Sequence, residues 1–173
     1  MEKKCGVYIC KGCGIGDSID IEKLSKTAKY GPIKEEQIKT HDIMCSPAGL
    51  QLIKNDINKD GINTIVIAAC SPRVKYEEFD FPGCITERVN IREFVAWMQP
   101  PKTDDTQSLA EDYLVMGIVR TQKGELPEPA ILENLCSTIL VVGGGITGMT
   151  AALEAAKTGY QVVLVEKEPQ LGG

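Results

Sequence analysis

The chain has 173 residues, a net charge of −5 and acidic and basic residues mixed along its length. That length holds one domain, or one domain and part of a second. Nothing resembles a basic nucleic-acid footprint and no apolar run reaches the length of a membrane span, so neither nucleic acid nor direct membrane insertion is expected.

Lys3-Lys4 ahead of an apolar run has the outline of a signal peptide, but Lys11 and Gly12 interrupt the run too early. Gly6-Val-Tyr-Ile9 reads instead as a strand that delivers Cys10 and Cys13 to the loop beyond it. The glycines around Cys13 let that loop turn tightly and approach an inorganic centre. Asp20 is placed to cap a helix over residues 21–30, which Gly31-Pro32 stops. A second strand, Ile38 to Met44, leads to Cys45. Ser46 and Pro47 then suit the N-cap and first position of a helix from Ala48 to Lys59, with Gly61 as its stop.

Thr64 to Ala69 is apolar throughout, as in a strand buried on both faces, and runs into Cys70. Cys70-Ser71-Pro72 repeats the tripeptide Cys45-Ser46-Pro47. Each of these cysteines is expected one residue before a helix or helical turn, whose dipole favours thiolate. Asp80-Phe-Pro-Gly-Cys84 reads as a loop, with Cys84 in reserve as a ligand. Asn90 and Glu93 form a capping box for a helix with Ile91, Phe94, Val95 and Met98 on its apolar face, and Phe94 and Trp97 are expected in the core. Pro100-Pro101 ends it, and a last helix runs from about Thr106 to Gln122. Strands alternating with helices imply an α/β domain with a parallel-type sheet over residues 1–125.

Parallel strands open their carboxyl ends on one side, so Cys10, Cys13, Cys45 and Cys70 could converge there. Thiolates in one pocket suit an iron–sulfur cluster or zinc, whereas Cys-x-x-Cys alone also fits a dithiol pair. Seven cysteines, an odd number, with no export signal favour reduced thiols and a cytoplasmic location over disulfides. Cys5, Cys84 and Cys136 could simply pack. His41, the only histidine, is read as hydrogen-bonded or solvated. Arg73 could either offset a cluster's charge or pair with Glu77 or Glu78.

After a linker over residues 126–136, Ser137 to Val142 reads as a strand followed at once by Gly143-x-Gly145-x-x-Gly148. The first glycine permits the turn, the second lets a pyrophosphate approach, and the third lets helix and strand pack closely. The helix over residues 149–158 would offer its N-terminus to phosphate. Gln161 to Val165 is the next strand, and Glu166 at its end is placed to accept ribose hydroxyls, which disfavours NADP. Residues 137–173 thus open a Rossmann-like dinucleotide domain and stop after its first βαβ unit, so the chain is expected to be the front part of a longer protein.

Cys5-Gly-Val-Tyr-Ile-Cys10, Ala68-Ala-Cys-Ser-Pro-Arg73, Asn90-Ile-Arg-Glu93 and Gly143-Gly-Gly-Ile-Thr-Gly148 resemble the family of heterodisulfide reductase A subunits and their relatives. Lys11-Gly-Cys-Gly-Ile-Gly16 and Asp105-Thr-Gln-Ser-Leu-Ala-Glu-Asp-Tyr113 are most similar to the B subunit of the quinone-interacting membrane-bound oxidoreductase, of the same superfamily. Many relatives have Cys-x-Cys where this chain has Cys10-Lys-Gly-Cys13. The resemblance implies a flavin and iron–sulfur oxidoreductase subunit, working with other redox subunits in a cytosolic complex, membrane-associated only through partners. It implies a [4Fe-4S] cluster on Cys10, Cys13, Cys45 and Cys70, and FAD on Gly143, Gly145, Ile146, Thr147, Gly148, Glu166, Lys167 and Gly173. Two competing readings are a zinc-bound or metal-free docking module and a dithiol redox protein with an NAD half-site.

Overall fold

A computed structural model of the chain describes residues 3–128, 130–131 and 135–173. They fall into two compact units that divide between Pro127 and Glu128. The expected linker, 126–136, includes residues 129 and 132–134, which lie outside the described residues.

The first unit is built on four parallel strands, β1 (Cys5–Cys10), β2 (Ile38–His41), β3 (Thr64–Ala69) and β4 (Ile85–Asn90), in the order β2-β1-β3-β4. β1 and β3 are buried along their whole length because helices cover both faces, so they read as unbroken apolar runs. Helices α1 (Ile15–Ser18), α2 (Ile21–Thr27), α3 (Pro47–Asp60) and α4 (Asp104–Lys123) complete the unit.

On one face the strand register puts Lys39, Tyr8, Ile67 and Arg88 in a single row. Asp56 of α3 meets that row, accepting from Tyr8 Oη at 2.9 Å and pairing with Lys39 Nζ at 2.5 Å. On the other face α4 packs so closely that a Cβ on Gly117 would lie 2.3 Å from Val89 Cγ2.

Local sequence explains the helix starts. Asp20 accepts from the Glu22 and Lys23 amides, and Ser46 Oγ accepts from the Gly49 amide with Pro47 in the first turn. Two expectations fail here. β2 stops at His41, and a turn carries the chain from Asp42 to Cys45, so Cys45 is not the immediate end of a strand. The segment after β4 is a π-helical turn, Arg92–Ala96, closed by a Trp97 N to Arg92 O bond of 2.9 Å. The wider turn buries Ile91, Val95 and Ala96 and turns Phe94, Trp97 and Met98 outward, 54%, 60% and 72% exposed.

The second unit has strands β5 (Ile139–Val142) and β6 (Val162–Val165), paired in parallel, and helix α5 (Ile146–Lys157). This is a single βαβ unit, the opening motif of a Rossmann-like fold. Among the described residues no helix is long and apolar enough to cross a membrane.

Candidate cysteine edge and glycine loop

In an open parallel sheet, ligands bind outside the carboxyl ends of the strands, where the strand order reverses. Here β1 leads outward to β2 and the chain crosses back to β3, so that point lies between β1 and β3. Cys10 ends β1, Cys13 lies in the loop after it, and Cys70 follows β3 directly. Cys45 closes the turn after β2, on the neighbouring strand.

The β1 and β2 loops are locked together. Lys11 N donates to His41 O at 3.0 Å, Met44 N donates to Cys10 Sγ at 3.5 Å, and Lys11 Nζ pairs with Asp42 at 2.8 Å. A Cβ on Gly12 would lie 2.6 Å from Asp42 O, so only glycine allows this approach. Cys13 itself has φ 56°, an uncommon conformation for a residue with a side chain. His41, the last residue of β2, accepts at Nδ1 from the Ile43 amide at 3.1 Å and so is hydrogen-bonded, as expected.

The β3 loop is held from β4. Arg88 Nη2 donates to Cys70 Sγ at 3.2 Å and reaches the carbonyls of Cys70, Ser71 and Val74 at 3.2–3.3 Å. Its guanidinium lies 4.2 Å over the Phe79 ring. The chain after Ser71-Pro72 makes one turn, with Val74 N donating to Ser71 O at 3.0 Å, and does not continue as a helix because Lys75 takes φ 58°. Glu93 forms only half of the expected capping box. Its amide donates to Asn90 Oδ1 at 3.1 Å, but its carboxylate accepts from Ser71 N at 2.7 Å and from Arg92 at 2.6 Å. Arg92 stacks 4.6 Å over Trp97 and reaches the Cys13 side chain, while Trp97 Nε1 donates to Cys13 O at 3.1 Å.

Cys13, Cys45 and Cys70 therefore share one cationic surround. Arg88 and Lys75 each feel both Cys45 and Cys70, and Arg92 feels Cys70. Burial nevertheless pushes the Cys70 thiol up from its ordinary value, against the pull of Arg88 and Arg92. The thiolate bias expected from a helix end is absent at Cys70, because no helix follows it. The residue that reaches Cys70 is Arg88, whereas Glu78 is paired with Lys75 and Glu77 accepts from Tyr76. Among the described residues no three or more Cys, His, Asp or Glu side chains are gathered into a metal cage. The four thiols line one edge without closing on a single point.

Cys84 cannot serve in reserve. It immediately precedes β4, at the amino edge of the sheet, and its Sγ faces Ile62 O. A strand of six residues separates the two edges by about 20 Å. Cys5 packs at that same amino edge, where burial raises its pKa to about 11. Cys136 is exposed instead of packed.

In the second unit the glycines meet the steric demands of a dinucleotide loop. Gly143 has φ 102° and turns the chain. A Cβ on Gly148 would lie 1.9 Å from Gly143 O, whereas one on Gly145 would meet nothing within 4 Å. Helix and strand therefore touch at Gly148, and open space lies at Gly145, where a pyrophosphate would approach. α5 begins at Ile146, three residues earlier than expected, with no side chain capping it. Its first intrahelical bond is Met149 N to Gly145 O at 2.9 Å, which leaves the Ile146, Thr147 and Gly148 amides for an anion.

Glu166 braces this loop. One carboxylate oxygen accepts from Gly144 N at 2.5 Å, the other from Lys167 N at 2.7 Å and Glu168 N at 3.0 Å. The first oxygen keeps a lone pair for a ribose hydroxyl. Gly172 N donates to Gly144 O at 2.7 Å and closes the same loop, while Gly173 has open space around it.

Donors from Glu168 and Gly144 hold the Glu166 carboxyl below its ordinary value. A lowered folded value means that the brace is complete above the ordinary glutamate pKa of about 4.3 and is lost as pH falls through the folded value. The Gly144 amide resonance is expected to titrate with a midpoint below about 4.3. A midpoint at or above that value contradicts the brace.

A family model described as FAD dependent oxidoreductase matches residues 138–173. An iron–sulfur A subunit of CoB–CoM heterodisulfide reductase from Methanopyrus kandleri, the one numbered 2, is 33% identical over 99% of this chain and 27% of its own length. A protein of Archaeoglobus profundus described as like the A subunit of heterodisulfide reductase is 34% identical over 99% of this chain and 25% of its own length. The iron–sulfur A subunit of CoB–CoM heterodisulfide reductase from Methanocaldococcus jannaschii is 33% identical over 100% of this chain and 27% of its own length. The chain spans about a quarter of the length of these curated relatives. None of these three carries the name of the quinone-interacting B subunit.

Proposed function

This chain belongs, over nearly all its length, to the family of heterodisulfide reductase A subunits and their relatives, and from that premise we propose that it is an electron-transferring part of a flavin and iron–sulfur oxidoreductase. Residues 1–125 form its cluster domain and residues 137–173 begin its FAD domain, joined by the linker at 126–136. Cys10, Cys13, Cys45 and Cys70 hold a [4Fe-4S] cluster. Gly143, Gly145, Ile146, Thr147, Gly148, Glu166, Lys167 and Gly173 hold the ADP half of FAD.

The observation that carries this reading is the placement of four thiols at the carboxyl edge of β2, β1 and β3, around the point where strand order reverses. The donor type suits the group, although the four side chains stand apart along the edge. Thiolates are the ligands of iron–sulfur centres, and Arg88, Arg92 and Lys75 offset the negative charge that such a centre brings. A bound cluster supplies one-electron exchange and FAD two-electron storage. The protein's own part is to bind, to exclude water and to set the local charge. The glycine loop and open N-terminus of α5 fit a pyrophosphate in the same way.

The partners of such a protein are other redox subunits of a cytoplasmic complex. The relatives are named as subunits of heterodisulfide reductase, which supports this reading. Stepwise reduction of the anaerobically purified protein tests the reading. Two chromophores are expected, one taking a single electron and one taking two. A colourless protein would favour the zinc docking module or the dithiol.

A further inference from the structure

We infer that Arg88 and Arg92 form a charge-compensating pair that sets the reduction potential of the cysteine edge. The inference rests on the cluster reading above and adds residues to which neither the sequence pattern nor the relatives assign a role.

Both arginines come from β4 and its π-helical turn, the one part of the edge that contributes no thiol. Arg88 donates directly to Cys70 Sγ at 3.2 Å and is fixed by neighbouring carbonyls and by the Phe79 ring. Arg92 approaches from the Cys13 side, where Glu93 at 2.6 Å and the Trp97 ring at 4.6 Å hold its plane. Glu93 in turn binds Ser71 N at 2.7 Å, so the same strap orients the turn that carries Cys70.

One guanidinium thus stands at Cys70 and the other at the Cys13 loop. Arginine does not lose its charge at any pH the fold survives. A fixed positive charge stabilises whichever redox state is more negative, which is the reduced one. Hydrogen bonds to ligating sulfurs act in the same direction.

The test is an EPR-monitored redox titration of the anaerobically prepared protein and four variants. Arg88→Gln and Arg92→Gln are each expected to lower the midpoint. At the wild-type midpoint the oxidised-to-reduced ratio should rise about tenfold, which is 59 mV for a one-electron couple. Arg88→Lys and Arg92→Lys keep the charge and should retain most of the wild-type potential. Wild-type potentials in both glutamine variants overturn the inference. A lysine variant that shifts as far as its glutamine counterpart also overturns it, because only geometry would then matter. If Arg88→Gln assembles no cluster, the Arg92 pair decides, since Arg92 leaves Arg88's hold on the Cys70 turn in place. A wild-type protein without iron defeats the cluster reading itself, whereas a cluster-bearing protein with unmoved potentials defeats this inference alone.

Discussion

Serine at position 70 is expected to strip the protein of iron while leaving its fold in place. The substitution keeps the shape of the side chain and exchanges a soft thiolate ligand for a weak hydroxyl. The turn does not depend on the sulfur. Arg88 also binds the carbonyls of Cys70, Ser71 and Val74, and Glu93 binds Ser71 N. Stability should therefore fall by no more than about 1 kcal/mol, the range of one hydrogen bond. Iron should drop from about four per chain to below one. Cys45→Ser should do the same from the other side of the edge. Cys84→Ser is the matched control, because Cys84 lies at the opposite edge of the sheet, about 20 Å away. Iron measured by mass spectrometry on anaerobically prepared variants reads all three. Normal iron in both Cys45→Ser and Cys70→Ser would remove these residues from the ligand set.

Alanine at position 148 is expected to abolish FAD binding by breaking the glycine loop, whereas alanine at 145 should abolish binding with the loop intact. At Gly148 the new methyl would lie 1.9 Å from Gly143 O and 3.0 Å from Gly143 C, both backbone atoms that cannot move aside without opening the helix from the strand. Such overpacking destabilises by roughly 1–3 kcal/mol or more. At Gly145 the methyl meets nothing within 4 Å and the backbone, at φ −70°, already suits alanine. It would fill only the space left for the pyrophosphate. Thermal unfolding and flavin content should therefore separate the two variants. Equal stability in both would mean that the contact at Gly148 is relaxed in solution, and retained flavin in Gly145→Ala would move the phosphate elsewhere.

Much of this architecture is legible in the residues. The apolar runs of β1 and β3, the Ser46-Pro47 start of α3 and the glycine spacing of the second unit all have local causes, and local causes leave local patterns. The segment after β4 was hidden because spacings of three and four assume a regular α-helix. One added residue per turn reverses which side chains face inward, and so Phe94 and Trp97 are exposed. The second Cys-Ser-Pro tripeptide resembles the first, yet only the first starts a helix, because the chain after the second turns out of helical geometry at Lys75, with Arg88, eighteen residues from Cys70, bound to the carbonyls of the loop. Arg88, Arg92 and Glu93 have no spacing that marks them as neighbours of Cys70. Only the parallel pairing of β3 with β4 brings them there. Their place near the end of a strand beside a cysteine-bearing strand was the available signal.

One count tests the central claim most directly: iron, acid-labile sulfide and zinc in the protein purified without oxygen. The cysteine edge predicts about four irons and four sulfides per chain, and no stoichiometric zinc. Zinc alone, or no metal after anaerobic reconstitution with iron and sulfide, would contradict it.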